Sequence, residues 1–318
     1  MYSMESVLDA FAKRKAELEN DSNPFAKGVA WIDGKLHPLA EARIPILDQG
    51  FLHSDLTYDV PAVWDGRFFR LDEHLDRFAV NCDKMRLRSP LDRKALRQTL
   101  IDMVAKSGIR DAYVEMILTR GLKYAREYKS YENSLYLMVM PYVWVLQPQY
   151  HSKGGSAIVC RTVRRTPAGA MDPTIKNLQW GDFVRGVLET VDRGSHFAFL
   201  TDGDTYVTEG PGFNIFAIKD RVLMTPSRGV LEGVTRKTVF ELAAARGFKT
   251  VLDFIPVEML YRADEIFTCT TAGGIMPVTE LDGKPVGSGS VGPVTRTIWE
   301  AYWAAHYDPK YSFAVAYP

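Results

Sequence analysis

Few residues in this sequence have the type and setting to do chemistry together. Lys176, in "DPTIKNLQWGDF", stands just ahead of a helical pattern and is flanked by Ile175, Leu178 and Trp180. Apolar neighbours strip water from an ammonium group, which favours the neutral amine that attacks a carbonyl carbon. Glu209, in "VTEGPGFNIF", lies between a strand-like run and a Gly-Pro-Gly break, where glycines let backbone approach a ligand closely. A carboxylate in such a place keeps a pyridine nitrogen protonated, and the protonated ring accepts carbanion charge. In "LEGVTRKTVFELAAARG" Gly233 precedes Val234 and Thr235 as a helix begins, and helix-start N–H groups with a Thr hydroxyl make an anion site. The stretch "EIFTCTTAGGIMPV" runs a buried strand out into Thr270, Thr271 and two glycines, which again suits phosphate or carboxylate. Arg77 adds a guanidinium able to grip a phosphate through two bonds.

Together these segments suit a phosphorylated aromatic cofactor. Taken singly, each has a plainer reading. Lys176 reads as a solvated lysine near a helix start, Glu209 and Thr270 as turn residues, Thr235 as an N-cap, and Arg77 as a solvated charge opposite an apolar stripe. Competing chemistries lose support, because there is no dinucleotide glycine fingerprint, phosphate loop, Gly-x-Ser-x-Gly elbow or His-Glu-x-x-His pair. The six His are scattered without metal-ligand spacing, so no metal is expected.

The elements that must position these residues follow from pattern. With 318 residues, 46% of them hydrophobic, the chain is long enough for two domains. Basic and acidic residues both number 39, so no charge surplus argues for nucleic acid or an anionic membrane. No window approaches the roughly 18 apolar residues of a membrane span. Three widely spaced cysteines, Cys82, Cys160 and Cys269, read as reduced core thiols, which points to the cytoplasm. The first twenty residues have helical character with scattered acids and read as a surface helix. Asp33-Gly34 and Asp65-Gly66 each sit between strand-like runs and predict tight hairpins. Leu71, Leu75, Phe78, Cys82 and Met85 form one apolar helical stripe, with Arg77 off it, and a second helix is expected over 92–106. "AYVEMILTR" alternates, placing Tyr113, Glu115 and Ile117 on one face and Ala112, Val114 and Met116 on the other. The polar, glycine-ended stretch 147–155 predicts a linker between a domain over 1–146 and one over 156–318. Further strands and helices, over about 181–193, 235–246 and within 293–306, make the chain α+β rather than a doubly wound parallel sheet.

These segments, in this order, resemble the fold type IV enzymes that use pyridoxal 5′-phosphate (PLP), a family of branched-chain and D-amino-acid aminotransferases, lyases and (R)-selective amine transaminases. The resemblance extends from "ARIPILDQGFLHSDLTYDV" to "GPVTRTIWEAYW". It implies a small α/β domain plus a larger one with a strand-rich, barrel-like core. It also implies that Lys176 forms the Schiff base, Glu209 partners the pyridine nitrogen, and Arg77, Val234, Thr235 and Thr270 hold the phosphate. The segments "FLHSDLTYDVPAVWDGRFFRLDEHLDRF", "YVEMILTRGL" and "RTVRRTPAGAMDPTIKNLQWGD" are most similar to fungal-type (R)-selective amine transaminases. That likeness implies a substrate site of His53, Tyr58, Val60, Tyr113, Glu115, Arg126, Trp180, Thr271 and Ala272. Val60, Tyr113, Thr271 and Ala272 would frame a small compartment, and His53, Tyr58 and Arg126 a larger one. Arg126 would swing in to pair with a carboxylate and out to admit an apolar group. Tyr113 departs from the Phe common in that subgroup, and "KYAREYKSYEN" also diverges. Amine and oxo-acid substrates and a homodimer with active sites at its interface are further implications. A branched-chain or D-amino-acid aminotransferase, or a PLP lyase, is the alternative within the family.

Overall fold

The computed structural model describes residues 3–122 and 132–318. The chain divides into two compact units. An amino-terminal unit takes Asp9–Val143, Ile175–Gln179 and Ala305–Pro318; a carboxy-terminal unit takes Met1–Leu8, Trp144–Thr174 and Trp180–Ala304.

In the amino-terminal unit, eight strands among the described residues form one antiparallel sheet. Its order is Ser312–Ala314, Arg67–Phe69, Ala62–Trp64, Ala112–Thr119, Ser134–Pro141, Val29–Ile32 and Lys35–Pro38, and Leu56–Asp59 also pairs with Ala112–Thr119. Both Asp-Gly pairs make hairpin turns with positive φ at each residue: 49° and 80° at Asp33 and Gly34, 48° and 71° at Asp65 and Gly66. Helix Leu71–Lys84 buries its stripe of Leu71, Leu75, Phe78 and Cys82 on the sheet face carrying Ala112, Val114, Met116 and Leu118. Helix Arg93–Ser107 adds Leu96, Leu100, Met103 and Val104 to this core. It starts where Asp92 accepts a bond from Ala95 N–H at 2.7 Å and stops at Gly108, whose φ of 72° few other residues adopt. The alternation of 112–119 leaves Tyr113 and Ile117 on the opposite face, packed with Leu56, Tyr58, Val60 and Leu178. The first helix, Met4–Glu19, is a surface element with one buried stripe: Met4, Val7 and Phe11 are buried, Phe11 stacks on Trp64 at 5.6 Å, and Arg14 pairs with Asp111, while most of its other residues are exposed. Its apolar residues recur at helical spacing on one face, and packing claims them.

In the carboxy-terminal unit, a second eight-stranded sheet among the described residues runs Thr250–Asp253, Val222–Pro226, Asn214–Lys219, Glu265–Thr270, Gly274–Leu281, Gly155–Val159 and Phe197–Phe199, with Lys284–Pro285 paired to Gly274–Leu281. It is mixed, since Gly155–Val159 lies parallel to both its neighbours. Strand Glu265–Thr270, flanked on both sides, buries Ile266, Phe267, Thr268 and Cys269, the burial on both faces expected of a central strand. A three-stranded sheet joins Thr201–Asp202, Tyr206–Val207 and Ile255–Pro256. With helices Gly181–Asp192, Val234–Ala244 and Pro293–Ala305, the architecture is α+β. Residues 147–155 lie within this unit. Pro148–Tyr150 form a 3-10 turn, and buried His151 donates to Leu146 O at 3.1 Å and accepts from Trp299 Nε1 at 3.1 Å. Among the described residues no helix is long and apolar enough to cross a membrane, and no group of three or more His, Cys, Asp or Glu is arranged to hold a metal ion.

Candidate active site

Lys176 belongs to the short segment Ile175–Gln179, which is counted with the amino-terminal unit although the chain on either side is not. Strand Leu56–Asp59 anchors it there. Tyr58 N–H and Thr57 Oγ1 donate to Lys176 O at 3.1 and 2.7 Å, while Lys176 Nζ donates to Tyr58 Oη at 3.2 Å and lies 4.3 Å from that ring's centre. A β-strand sends alternate side chains to one face, so Tyr58 and its cross-strand partner Ile117 share a face with Tyr113 and Glu115. Burial raises the Glu115 carboxyl to about 7; the Lys176 charge pulls against this and Asp59 adds to it. Burial, then the charge of Glu115, pushes the Tyr113 phenol well above its ordinary range.

Arg77 in the same unit is bound rather than solvated. Its Nε and Nη2 donate to Asp59 Oδ2 and Oδ1 at 2.7 and 2.8 Å, and His74, one helical turn earlier, meets Asp59 Oδ1 through Nδ1 at 2.7 Å. Burial favours the neutral acid at Asp59, but Arg77 and His74 overcome it and hold that carboxyl well below the usual range. Against the same desolvation, Asp59 keeps Arg77 above the ordinary arginine value.

The carboxy-terminal unit holds a separate cluster around Glu209. The Glu209 side chain is buried. Its Oε1 accepts from Arg165 Nε and Nη2 at 3.2 and 3.1 Å, and its Oε2 accepts from Leu231 N–H at 2.9 Å. Arg165 also donates from Nη1 to Asp182 Oδ2 at 2.6 Å and lies 4.2 Å from the centre of the Phe183 ring. A side chain at Gly210 would collide with Phe213 and with Ala198 O, so glycine is required directly after Glu209. Helix Val234–Ala244 begins behind Gly233 with no side-chain cap. A Cβ on Gly233 would come within 2.3 Å of Asn214 Oδ1, so the close approach of Asn214 requires glycine at the entry to this helix. Thr270 ends the strand Glu265–Thr270, and Thr271 and Ala272 lead to Gly273 and Gly274 at φ 136° and 65°.

Of the residues singled out from sequence, Lys176, Tyr58, Val60, Tyr113, Glu115 and Arg77 fall in the amino-terminal unit; Glu209, Val234, Thr235, Thr270, Thr271, Ala272 and Trp180 fall in the other. Trp180 packs edge-on to Phe183, with ring centres 5.5 Å apart, and Ala272 O accepts from Val145 N–H at 2.9 Å. His53 is exposed at the end of helix Gln49–His53, with Nδ1 3.0 Å from Gln49 Oε1, and does not join the Lys176 group. Arg126 lies outside the described residues. Sequence reasoning missed Asp59, His74, Arg165 and Asp182. The one available signal was polarity in apolar company, such as the lone acid in "LTYDVPAV".

The profile of the family described as amino-transferase class IV matches residues 57–281, a span that contains Lys176, Arg77, Glu209, Val234, Thr235 and Thr270. The chain belongs to that family. This aminotransferase is 28% identical over 285 residues to the branched-chain-amino-acid aminotransferase of Pseudomonas aeruginosa, covering 87% of this chain and 92% of that one. It is 28% identical over 273 residues to the D-alanine aminotransferase of Bacillus licheniformis, covering 85% and 94%. The aminotransferase also superposes on the branched-chain aminotransferase of the thermophilic archaeon Thermoproteus uzoniensis, solved with norvaline, with a TM-score of 0.81, 27% identity and coverage of 91% and 99%. A further branched-chain amino acid aminotransferase, solved with pyridoxamine 5′-phosphate, superposes with a TM-score of 0.83 at 26% identity and the same coverage of 91% and 99%.

Proposed function

We propose that this aminotransferase works with pyridoxal 5′-phosphate and is an (R)-selective amine transaminase, moving an amino group from a primary amine or D-alanine to pyruvate or another oxo acid or ketone. The residues fit the cofactor. The uncapped start of helix Val234–Ala244 leaves backbone N–H groups for an anion, and buried Glu209 shares one cation, Arg165, with Asp182, which leaves the cluster a net negative charge that a protonated ring nitrogen would offset. Lys176 would tether the cofactor, Glu209 would meet its ring nitrogen, and Arg77, Val234, Thr235 and Thr270 would hold its phosphate. Bound there, the cofactor supplies an aldehyde for the incoming amine and a ring that takes up negative charge. The chain's own groups do the rest. Arg165 and Leu231 N–H fix the Glu209 carboxylate, which keeps a proton on the ring nitrogen. The Lys176 amine, oriented by the Tyr58 phenol, removes the proton from the substrate carbon and later returns one.

The observation that carries the subtype is the patch around Lys176. Tyr58 and Val60 are buried with Tyr113 packed on them, and the Glu115 carboxyl shares the strand face of Tyr113. An aryl or alkyl group finds apolar contact there, whereas a substrate carboxylate meets the Glu115 carboxyl, whose ionisation a second negative charge would oppose. Arg126 would serve the oxo acid. The relatives named above favour a second reading, a branched-chain or D-amino-acid aminotransferase. Turnover of (R)-1-phenylethylamine, D-alanine and leucine with pyruvate or 2-oxoglutarate separates the two: rapid use of the (R)-amine is expected, and consumption of leucine or D-alanine alone contradicts the subtype.

A homodimer with active sites at its interface is part of the same proposal. Helix Gly181–Asp192 exposes Val184, Val187, Leu188 and Val191 on one stripe, and Ile44, Ile46, Leu47, Phe51 and Leu52 are exposed on the amino-terminal unit. Apolar surface of this kind marks contact sites. A cytoplasmic location accords with three free, buried cysteines.

A further inference from the structure

We propose that Asp59, backed by His74, is a positioning residue that aims the Arg77 guanidinium at the cofactor phosphate. This rests on the reading that Arg77 is a phosphate ligand. A guanidinium is planar, with donors on fixed edges. Asp59 takes the edge formed by Nε and Nη2, through contacts of 2.7 and 2.8 Å to its two oxygens. With that edge pinned, the plane of the group and the direction of its opposite edge are set. An arginine held by one bond keeps the rotations of a long side chain and loses entropy when a ligand arrives; one already held does not.

Asp59 is itself immobile. It is 0% exposed at the end of strand Leu56–Asp59, and its Oδ1 also accepts from Val60 N–H at 2.7 Å and meets His74 Nδ1 at 2.7 Å. Burial lowers the His74 pKa despite Asp59, so the ring is neutral at neutral pH and donates from Nδ1. His74 and Arg77 are three residues apart on helix Leu71–Lys84, hence on one face, and that face meets the strand that also carries Tyr58. The strand therefore sets the lysine on one side through Tyr58 and the arginine on the other through Asp59. A fully buried carboxylate is costly to keep unless its bonds are complete. Asp59 meets that condition with four contacts, two of which go to Arg77.

The test measures affinities of the cofactor-free full-length chain for PLP and for pyridoxal, which lacks the phosphate. Both react with the lysine, so their ratio reads the phosphate handle alone. Asp59→Asn keeps the shape but removes the charge. It should weaken PLP binding by roughly ten- to a hundredfold, the range for a lost bond to a charged group, and leave pyridoxal within about twofold. Combined with Arg77→Ala, it should add nothing further for PLP. Equal weakening of both ligands, unchanged PLP affinity, or an undiminished effect in the Arg77→Ala background overturns the proposal. If Arg77→Ala alone leaves the ratio unchanged, the phosphate role of Arg77 itself fails, an outcome distinct from failure at Asp59 only. Should Asp59→Asn not fold, His74→Phe removes the donor to Asp59 and is judged by the same outcomes.

Discussion

Replacing Glu115 with Gln should stabilise the cofactor-free protein, and more so as the pH rises. Glu115 is 6% exposed, and burial lifts its carboxyl from an ordinary 4.5 to about 7, with Lys176 opposing and Asp59 assisting. The folded chain thus holds this proton more tightly than the unfolded chain. Below about pH 4.5 both states carry it and there is no penalty; as pH rises through the window to about 7 the unfolded state alone releases it, and above about 7 the penalty is complete. At about 1.4 kcal/mol per pH unit the penalty reaches about 3 kcal/mol. Gln does not titrate, so the difference in guanidinium-unfolding free energy between parent and Glu115→Gln should widen by that order between about pH 4.5 and 8. Adding Lys176→Ala removes the cation that lowers the carboxyl, and should move the window to higher pH. A difference that stays constant with pH, or narrows as pH rises, would show that Glu115 does not titrate as its burial requires.

Glu209→Gln should cut single-turnover rates by on the order of a hundredfold, as removal of one charge-stabilising group does. It should also cost about 2 kcal/mol of stability, because the amide has one acceptor oxygen and must turn its NH2 toward either Arg165 or the Leu231 N–H; rates within about threefold of the parent would exclude Glu209 from the chemistry. Arg126→Ala should impair amino and oxo acids far more than the half-reaction with a plain amine, and equal losses in separate half-reaction assays would refute the swinging-arginine role. On the Gly181–Asp192 helix, Val191, 71% exposed, lies on the apolar stripe. Val191→Glu should shift the mass by light scattering from dimer to monomer; an unchanged mass would move the interface elsewhere.

Local signals made much of the fold legible. Asp-Gly pairs demand positive φ, Asp92 caps the helix that follows it, and the alternation over 112–119 separates two faces, of which the structure buries Ala112, Val114 and Met116 in the core. Arg77 was harder, because it lies off the stripe of Leu71, Leu75 and Phe78 and reads as a solvent-facing charge. The helix in fact buries a second, polar face against Asp59. Such a contact joins positions eighteen apart on different elements, and no periodicity encodes it. Arg165 and Asp182 were missed for the same reason: each is ordinary in its own segment and acquires meaning only when the chain brings Arg165 to Glu209 and Asp182 to Arg165. The buried stripe of Met4, Val7 and Phe11 was masked by the acids interspersed among them.

The account stands or falls on Lys176. Borohydride reduction of the purified protein followed by peptide mapping should place a phosphopyridoxyl group on the Lys176 side chain and abolish activity. A tag on another lysine, or no tag on a protein saturated with PLP, would contradict it.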